Sequence, residues 1–216
     1  MRPGNILQLF GGDKSVLGID IGTSSLKILQ LREEKERAIL ETYGELSTGL
    51  YQTQESGRAF LLPEEKMTEM LKDLKKEAGA KASEGVVGIP LRYSFITLIE
   101  MPLMDDKELE ESMLYEARRY VPLPRSEVVL EWWKIPFSEE ERRQKKGKMS
   151  ILLAASKKDM VEHYKSVLEE AGIKFKGFEV ELFSLARAII GRFRMPVILL
   201  DIGAFSVKIG IIDRGS

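Results

Sequence analysis

VLGIDIGTSSLKIL, residues 16–29, returns without a gap as VILLDIGAFSVKIG, residues 197–210. Asp20 aligns with Asp201, Gly22 with Gly203, Ser25 with Ser206 and Lys27 with Lys208, at a constant offset of 181 residues. Each copy reads as an apolar strand, a tight turn and a second strand of alternating charge and apolarity, the pattern of a β-hairpin. Glycine lets the turn bend sharply and come close to a ligand. Successive turn N–H groups form a concave anion nest. A carboxylate just ahead of the turn holds a cation directly or through water. A single DIGTSS carries little weight, because Asp-x-Gly turns end many strands. The duplication gives it weight: two such turns facing each other would grip a polyphosphate and its Mg²⁺ from both sides. Asp20 and Asp201 are then the metal-side candidates, and Gly22, Thr23, Ser24, Ser25 and Gly203 the phosphate-side ones.

At 216 residues the chain holds one large domain or two small ones, and it is long enough for a proper core. Its 44% hydrophobic and 31% charged residues are an ordinary globular mixture. A net charge of -1 gives no electrostatic case for nucleic acid. The lack of cysteine excludes disulfides and thiolate metal sites and suits a reducing cytosol. No apolar run approaches the roughly 20 residues of a membrane span. The opening MRPGNILQLFGG is too weakly apolar for a signal peptide. Its Ile6, Leu7, Leu9 and Phe10 read as a disordered or loosely docked terminus rather than a membrane contact.

Between the repeats the punctuation is regular. Residues 35–48 suggest a third strand, and PEEKMTEMLKDLKKEAG (63–79) a helix with Pro63 in its first turn and Gly79 past its end. GVVGIP (85–90) is a short buried strand. From there FITLIEMP is a strand, and DDKELEESMLYEARRYV a helix capped by Asp105 with Glu108 three residues on, Met104 stapling Leu109. VVLEWWKIPF and MSILLAAS are strands joined by the charged tip SEEERRQKKGK, read as a solvated hairpin end. SKKDMVEHYKSVLEEAG is a helix with Ser156 as its cap, and IKFKGFEVE a closing strand. That order is βαββαβ, the ferredoxin-like arrangement. Trp132 and Trp133 point to opposite faces, one of them into the core. His163 lies at the border of its helix's apolar face, with no ligand spacing around it, and reads as a boundary residue.

The duplicated hairpin resembles the actin, hexokinase and heat-shock-chaperone superfamily, and the βαββαβ insert resembles its bacterial FtsA and PilM branch. MPLMDDKELEESMLYEARRYVPLPRSEVVLEW and ILLAASKKDMVEHYKSVLEEAGIK are similar to segments of the PilM family. The resemblance covers nearly all of residues 5–212. It implies an α/β, actin-like (ribonuclease H-like) first subdomain from residues 1–96 and 181–216, with a ferredoxin-like subdomain inserted over 97–180. Lys27 stands seven residues after Asp20, the spacing of a β-phosphate-binding lysine in actin. ELFSLARA (181–188) resembles the segment leading to the second turn, which makes Glu181 the candidate for orienting the attacking water. Glu179 is the fallback, and both glutamates equally suit outward positions on a strand. Ala204 departs from the pattern, since a hydroxyl at the second turn would help hold phosphate.

The resemblance further implies a cytoplasmic scaffold at the inner face of the bacterial inner membrane, joined to the membrane through pilus-platform partners. The partner implied is the N-terminal cytoplasmic peptide of PilN, in the groove between the first subdomain and the inserted one. ATP with Mg is the implied cofactor. The superfamily's second half, which supplies the adenosine pocket, has no counterpart in these residues, so weak or absent MgATP binding and little turnover are expected. The alternative of a different class is an actin-like ATPase, either an FtsA-like filament former or a phosphotransferase.

Overall fold

The computed structural model describes residues 15–35, 37–51, 62–137, 143–190 and 195–213. The apolar opening, the polar stretch after residue 51 and most of the charged tip lie outside them. Two compact units emerge: one is Pro90–Met160, and the other combines the chain up to Ile89 with the chain from Val161.

The larger unit is built on a five-stranded sheet of order β3-β2-β1-β4-β8. Its strands are β1 (Val16–Ile21), β2 (Ser25–Glu34), β3 (Arg37–Ser47), β4 (Glu84–Ile89) and β8 (Lys174–Val180). β1 and β2 form the antiparallel first hairpin, whereas β4 runs parallel to both β1 and β8. Side chains on one face of the β1–β2 pair, Leu17, Ile19, Ile21, Leu26 and Ile28, are almost wholly buried. Helix α1 (Glu64–Glu77) lies on that face, its Leu74 pressed so near Gly44 of β3 that a Cβ there would meet it at 2.8 Å. α1 starts after Pro63, whose missing N–H would have been an orphan donor anyway. It ends where Gly79 takes a φ of 63° and Ala80 donates back to the Lys75 carbonyl. Helix α3 (Lys158–Glu170) buries Tyr164, Val167 and Leu168, and Leu168 lies beside Gly85 of β4 on the same sheet face. Helix α4 (Glu181–Ile190) packs on β4 and β8 from the other face, since Ser184 and Arg187 reach Glu179 there.

The second hairpin, β9 (Val197–Ile202) and β10 (Val207–Ile212), is a separate two-stranded sheet of the same unit. Its inward face rests on α4, where Leu182 sits about a Cβ contact from Gly210.

The smaller unit is a three-stranded antiparallel sheet of order β5-β7-β6 under one helix. β5 (Ser94–Pro102), β6 (Val128–Ile135) and β7 (Lys148–Lys157) turn Ile99, Met101, Val128, Met149, Ile151 and Leu153 toward α2 (Asp106–Tyr120). α2 answers with Leu109, Met113 and Ala117. The expected capping box is present: Asp105 accepts from the Glu108 N–H at 2.8 Å, and Glu108 returns to the Asp105 N–H. Met104 packs against this core, as a staple requires. Trp132 packs there too, and Trp133, one residue on, points to the opposite sheet face.

Three expectations need correction. The inserted unit is βαββ rather than βαββαβ, and it spans 90–160 rather than 97–180. β8 pairs with β4, whose Val87 and Ile89 are fully buried and need a strand on each side. α3 takes its apolar stripe largely into the larger unit. Ser156 is no helix cap, because β7 continues through Lys157 and turns the Ser156 hydroxyl to that of Ser94, 3.1 Å away.

Candidate functional site

The two hairpins share their register. Asp20 stands opposite Lys27, and Asp201 stands opposite Lys208. Each turn closes with the same bond, Gly22 N–H to the Ser25 carbonyl and Gly203 N–H to the Ser206 carbonyl, both at 3.0 Å. Neither glycine has a positive φ. The need for glycine is steric: a Cβ at Gly22 would sit 2.8 Å from the Ser25 carbonyl oxygen, and one at Gly203 would sit 3.2 Å from that of Ser206. The first turn is also pinned from β3's end. Thr48 donates its N–H to the Ser24 carbonyl (2.9 Å) and its hydroxyl to the Thr23 carbonyl (3.0 Å). Ser24 is exposed and Thr23 half-buried, but Ser25 is buried. Ala204 and Phe205 stand at the places of Thr23 and Ser24, so the second turn carries no hydroxyl there.

Strand register lays the first-hairpin residues in a row across the sheet: Glu45, Lys27, Asp20, Gly88, Glu179. Lys27 is 3.7 Å from both Asp20 and Glu45, and half exposed. Gly88 puts no side chain between Asp20 and Glu179, and a Cβ there would lie 3.7 Å from the Ile19 carbonyl oxygen. Solvent reaches 53% of the Asp20 side chain, yet protein crowds it closely. Its carboxyl pKa is raised, first by desolvation and then by Glu181 and Asp201, against the opposing pull of Lys27 and Lys208. Asp20, Glu181, Asp201 and Lys208 are therefore near enough to sense one another.

At the second hairpin the charges are already paired. Lys208 Nζ donates to Glu181 Oε2 and to Asp201 Oδ2, each at 2.9 Å. Burial acts to lower the Lys208 pKa, but these two bonds outweigh it and hold the ammonium above its usual value. Glu181 thus enters the site through the first turn of α4. Glu179 does not, because Arg187 grips it in a two-pronged pair. Sequence reasoning passed over Lys208 as a site residue, although the repeat marks it as the partner of Lys27.

The set suits a phosphate and a hydrated cation at the first turn: an uncomfortable, solvent-reachable carboxylate beside a half-exposed ammonium. The second turn fits less well, since Lys208 already neutralises Asp201 and Glu181. Among the described residues no three acidic side chains converge tightly enough to hold a bare metal ion.

The pattern of the type IV pilus assembly protein PilM matches residues 18–216. A solved PilM–PilN type IV pilus biogenesis complex is similar at 26% identity and a TM-score of 0.72, over 93% of this chain and 58% of that one. The cytoplasmic domain of EpsL, from the type II secretion system of Vibrio cholerae, is 11% identical (TM-score 0.46, 76% of this chain, 57% of that one). The ethanolamine utilization protein EutJ from Carboxydothermus hydrogenoformans is 12% identical (TM-score 0.45, 93% and 48%). The chain thus spans between 48 and 58% of the length of these three proteins. With the duplicated hairpin on an actin-like α/β frame, the match over residues 18–216 places this chain in the PilM family of type IV pilus assembly proteins.

Proposed function

We propose that this chain is a cytoplasmic scaffold of the type IV pilus assembly platform, at the inner face of the inner membrane, which binds a PilN-type N-terminal peptide. The family match carries that reading. The similar PilM was solved in complex with PilN, and this chain covers 58% of that PilM-type chain. No described helix is long and apolar enough to cross a membrane, and in this reading platform partners hold the chain there.

The hairpins are proposed as part of an MgATP site. Asp20, with Asp201, would hold the hydrated Mg, which supplies charge neutralisation when bound. Gly22, Thr23, Ser24, Ser25, Lys27 and Gly203 would line the phosphates. Lys27 carries the positive charge on the first side. On the second side Lys208 competes with any cation for Asp201 and holds Glu181 away from orienting water. An open, hydrated site screens its charges, and only enclosure makes preorganised charges effective. The scaffold reading therefore puts partner binding ahead of turnover.

Isothermal titration separates the two activities. A PilN-type N-terminal peptide is expected to bind with micromolar affinity, and MgATP only at millimolar concentrations. A peptide that gives no heat and no shift in sedimentation overturns the scaffold. Micromolar MgATP affinity lost in Asp20→Ala replaces it with a nucleotide switch or an actin-like ATPase.

A further inference from the structure

The first phosphate-type turn is held from outside its own hairpin, by Thr48. That residue is 5% exposed and opens a single 3₁₀ turn, Thr48–Leu50, at the end of β3. Ser25 stands opposite Ser47, which brings Thr48 beside the turn. Both of its donors are spent there: the N–H on the Ser24 carbonyl at 2.9 Å, the hydroxyl on the Thr23 carbonyl at 3.0 Å. Thr48 is itself anchored. Tyr51 donates its N–H to the Thr48 carbonyl, and its hydroxyl reaches Asp73 of α1 at 2.6 Å. Two successive peptide groups of a solvent-facing turn are thus tied through a buried residue to a helix.

Fixing those carbonyls fixes amides as well. A trans peptide is planar, with its C=O and the following N–H pointing opposite ways, and the described residues hold no cis bond. With the Thr23 and Ser24 carbonyls turned to Thr48, the N–H groups of Ser24 and Ser25 are turned away from it. Gly22 offers no such donor, because its N–H closes the hairpin on the Ser25 carbonyl. Successive N–H groups set in one concave turn make an anion nest. Held loosely, they would have to be ordered by the ligand, at a cost in affinity.

We propose that Thr48 is a positioning residue for phosphate: it sets the Ser24 and Ser25 N–H groups toward a polyphosphate chain that it does not itself touch. The inference rests on the nucleotide part of the proposed function and adds to it the residue that preorganises the turn. A hydroxyl is required rather than bulk. Valine matches threonine in shape but leaves the Thr23 carbonyl, and with it the aim of the Ser24 N–H, without the buried donor. Serine keeps that donor. A residue that merely filled space at a strand end would tolerate valine, which strands favour.

The test is an NMR titration of the isotope-labelled 216-residue chain with magnesium pyrophosphate and with MgATP, read from the backbone amides. In wild type the Ser24 and Ser25 amides are expected to move most, saturating at millimolar ligand. Thr48→Val should weaken both ligands at least about 5-fold, the scale of one hydrogen bond, and Thr48→Ser should bind as wild type does. Thermal melting by circular dichroism checks that both variants are folded. Saturable shifts around Asp20 and Lys27 with Ser24 and Ser25 unmoved overturn the proposal on wild type alone. Thr48→Val that binds like wild type overturns it too, as does Thr48→Ser that binds as weakly as Thr48→Val; in all three cases the nucleotide reading stands. Wild type with no saturable shift anywhere removes the nucleotide reading and this inference together.

Discussion

At the scale of single residues, the site's electrostatics are lopsided. Asp20 is left with an unfavourable charge, whereas Asp201 and Glu181 share Lys208. The raised Asp20 pKa means the folded chain holds a proton that the unfolded chain has lost, in the window just above the usual aspartate value. Stability therefore falls as pH rises through that window. Asp20→Asn, which removes the charge and keeps the shape, is expected to raise the melting temperature at pH 7. The difference should vanish below pH 4, and a thermal-shift series across pH 3.5–8 reads it. A variant that melts lower than wild type at pH 7 would mean that Lys27 already compensates the charge. The repeat made both aspartates and both lysines visible in the sequence. It could not show that Glu181 would reach Lys208, because that contact depends on how α4 sets its first turn against β10.

At the scale of elements, two hairpins of one pattern live in opposite surroundings. Leu17 is fully buried and its counterpart Ile198 is 72% exposed. Leu17→Ala is expected to cost about 2–4 kcal/mol, through lost transfer energy and a cavity under α1. Ile198→Ala should cost under about 0.5 kcal/mol in urea unfolding. Similar losses at both positions would mean the second hairpin is covered in solution. Strands, helices and caps were legible because each is a local pattern: the Asp105–Glu108 box, the Pro63 start, the Gly79 stop. Pairing was not. KFKGFEV reads equally well as a partner for the insert's strands or for β4, and only the need of Val87 and Ile89 for neighbours on both sides decides it. Ser156 misled for a related reason, since a serine before a helix looks like a cap even when the preceding strand has claimed its hydroxyl.

At the scale of the whole molecule, each unit has its own core. Met113 is fully buried among Ile99, Ile151 and Leu153, in a cluster drawn entirely from Pro90–Met160. Met113→Ala should destabilise that unit by about 2–5 kcal/mol. Hydrogen exchange should then quicken across β5, β6 and β7 and stay slow in β1 and β2, as expected of separate cooperative units. Uniform loss of protection over both would show that the chain unfolds as a single unit.

The pairing of β8 with β4 also sets an order of events during synthesis. β4 leaves the ribosome with β1 ready beside it, but its other edge must wait until the whole inserted unit and α3 have followed. Were that segment still unfolded, closing it would carry the loop entropy of its full length. An insert that folds first leaves little more than α3 as free chain and lowers the closure cost by about 1.5 kcal/mol. The inserted unit thus acts as a clip in time: until it folds, β4 presents a bare, apolar strand edge. Growing chains with a crippled insert should be the ones that aggregate.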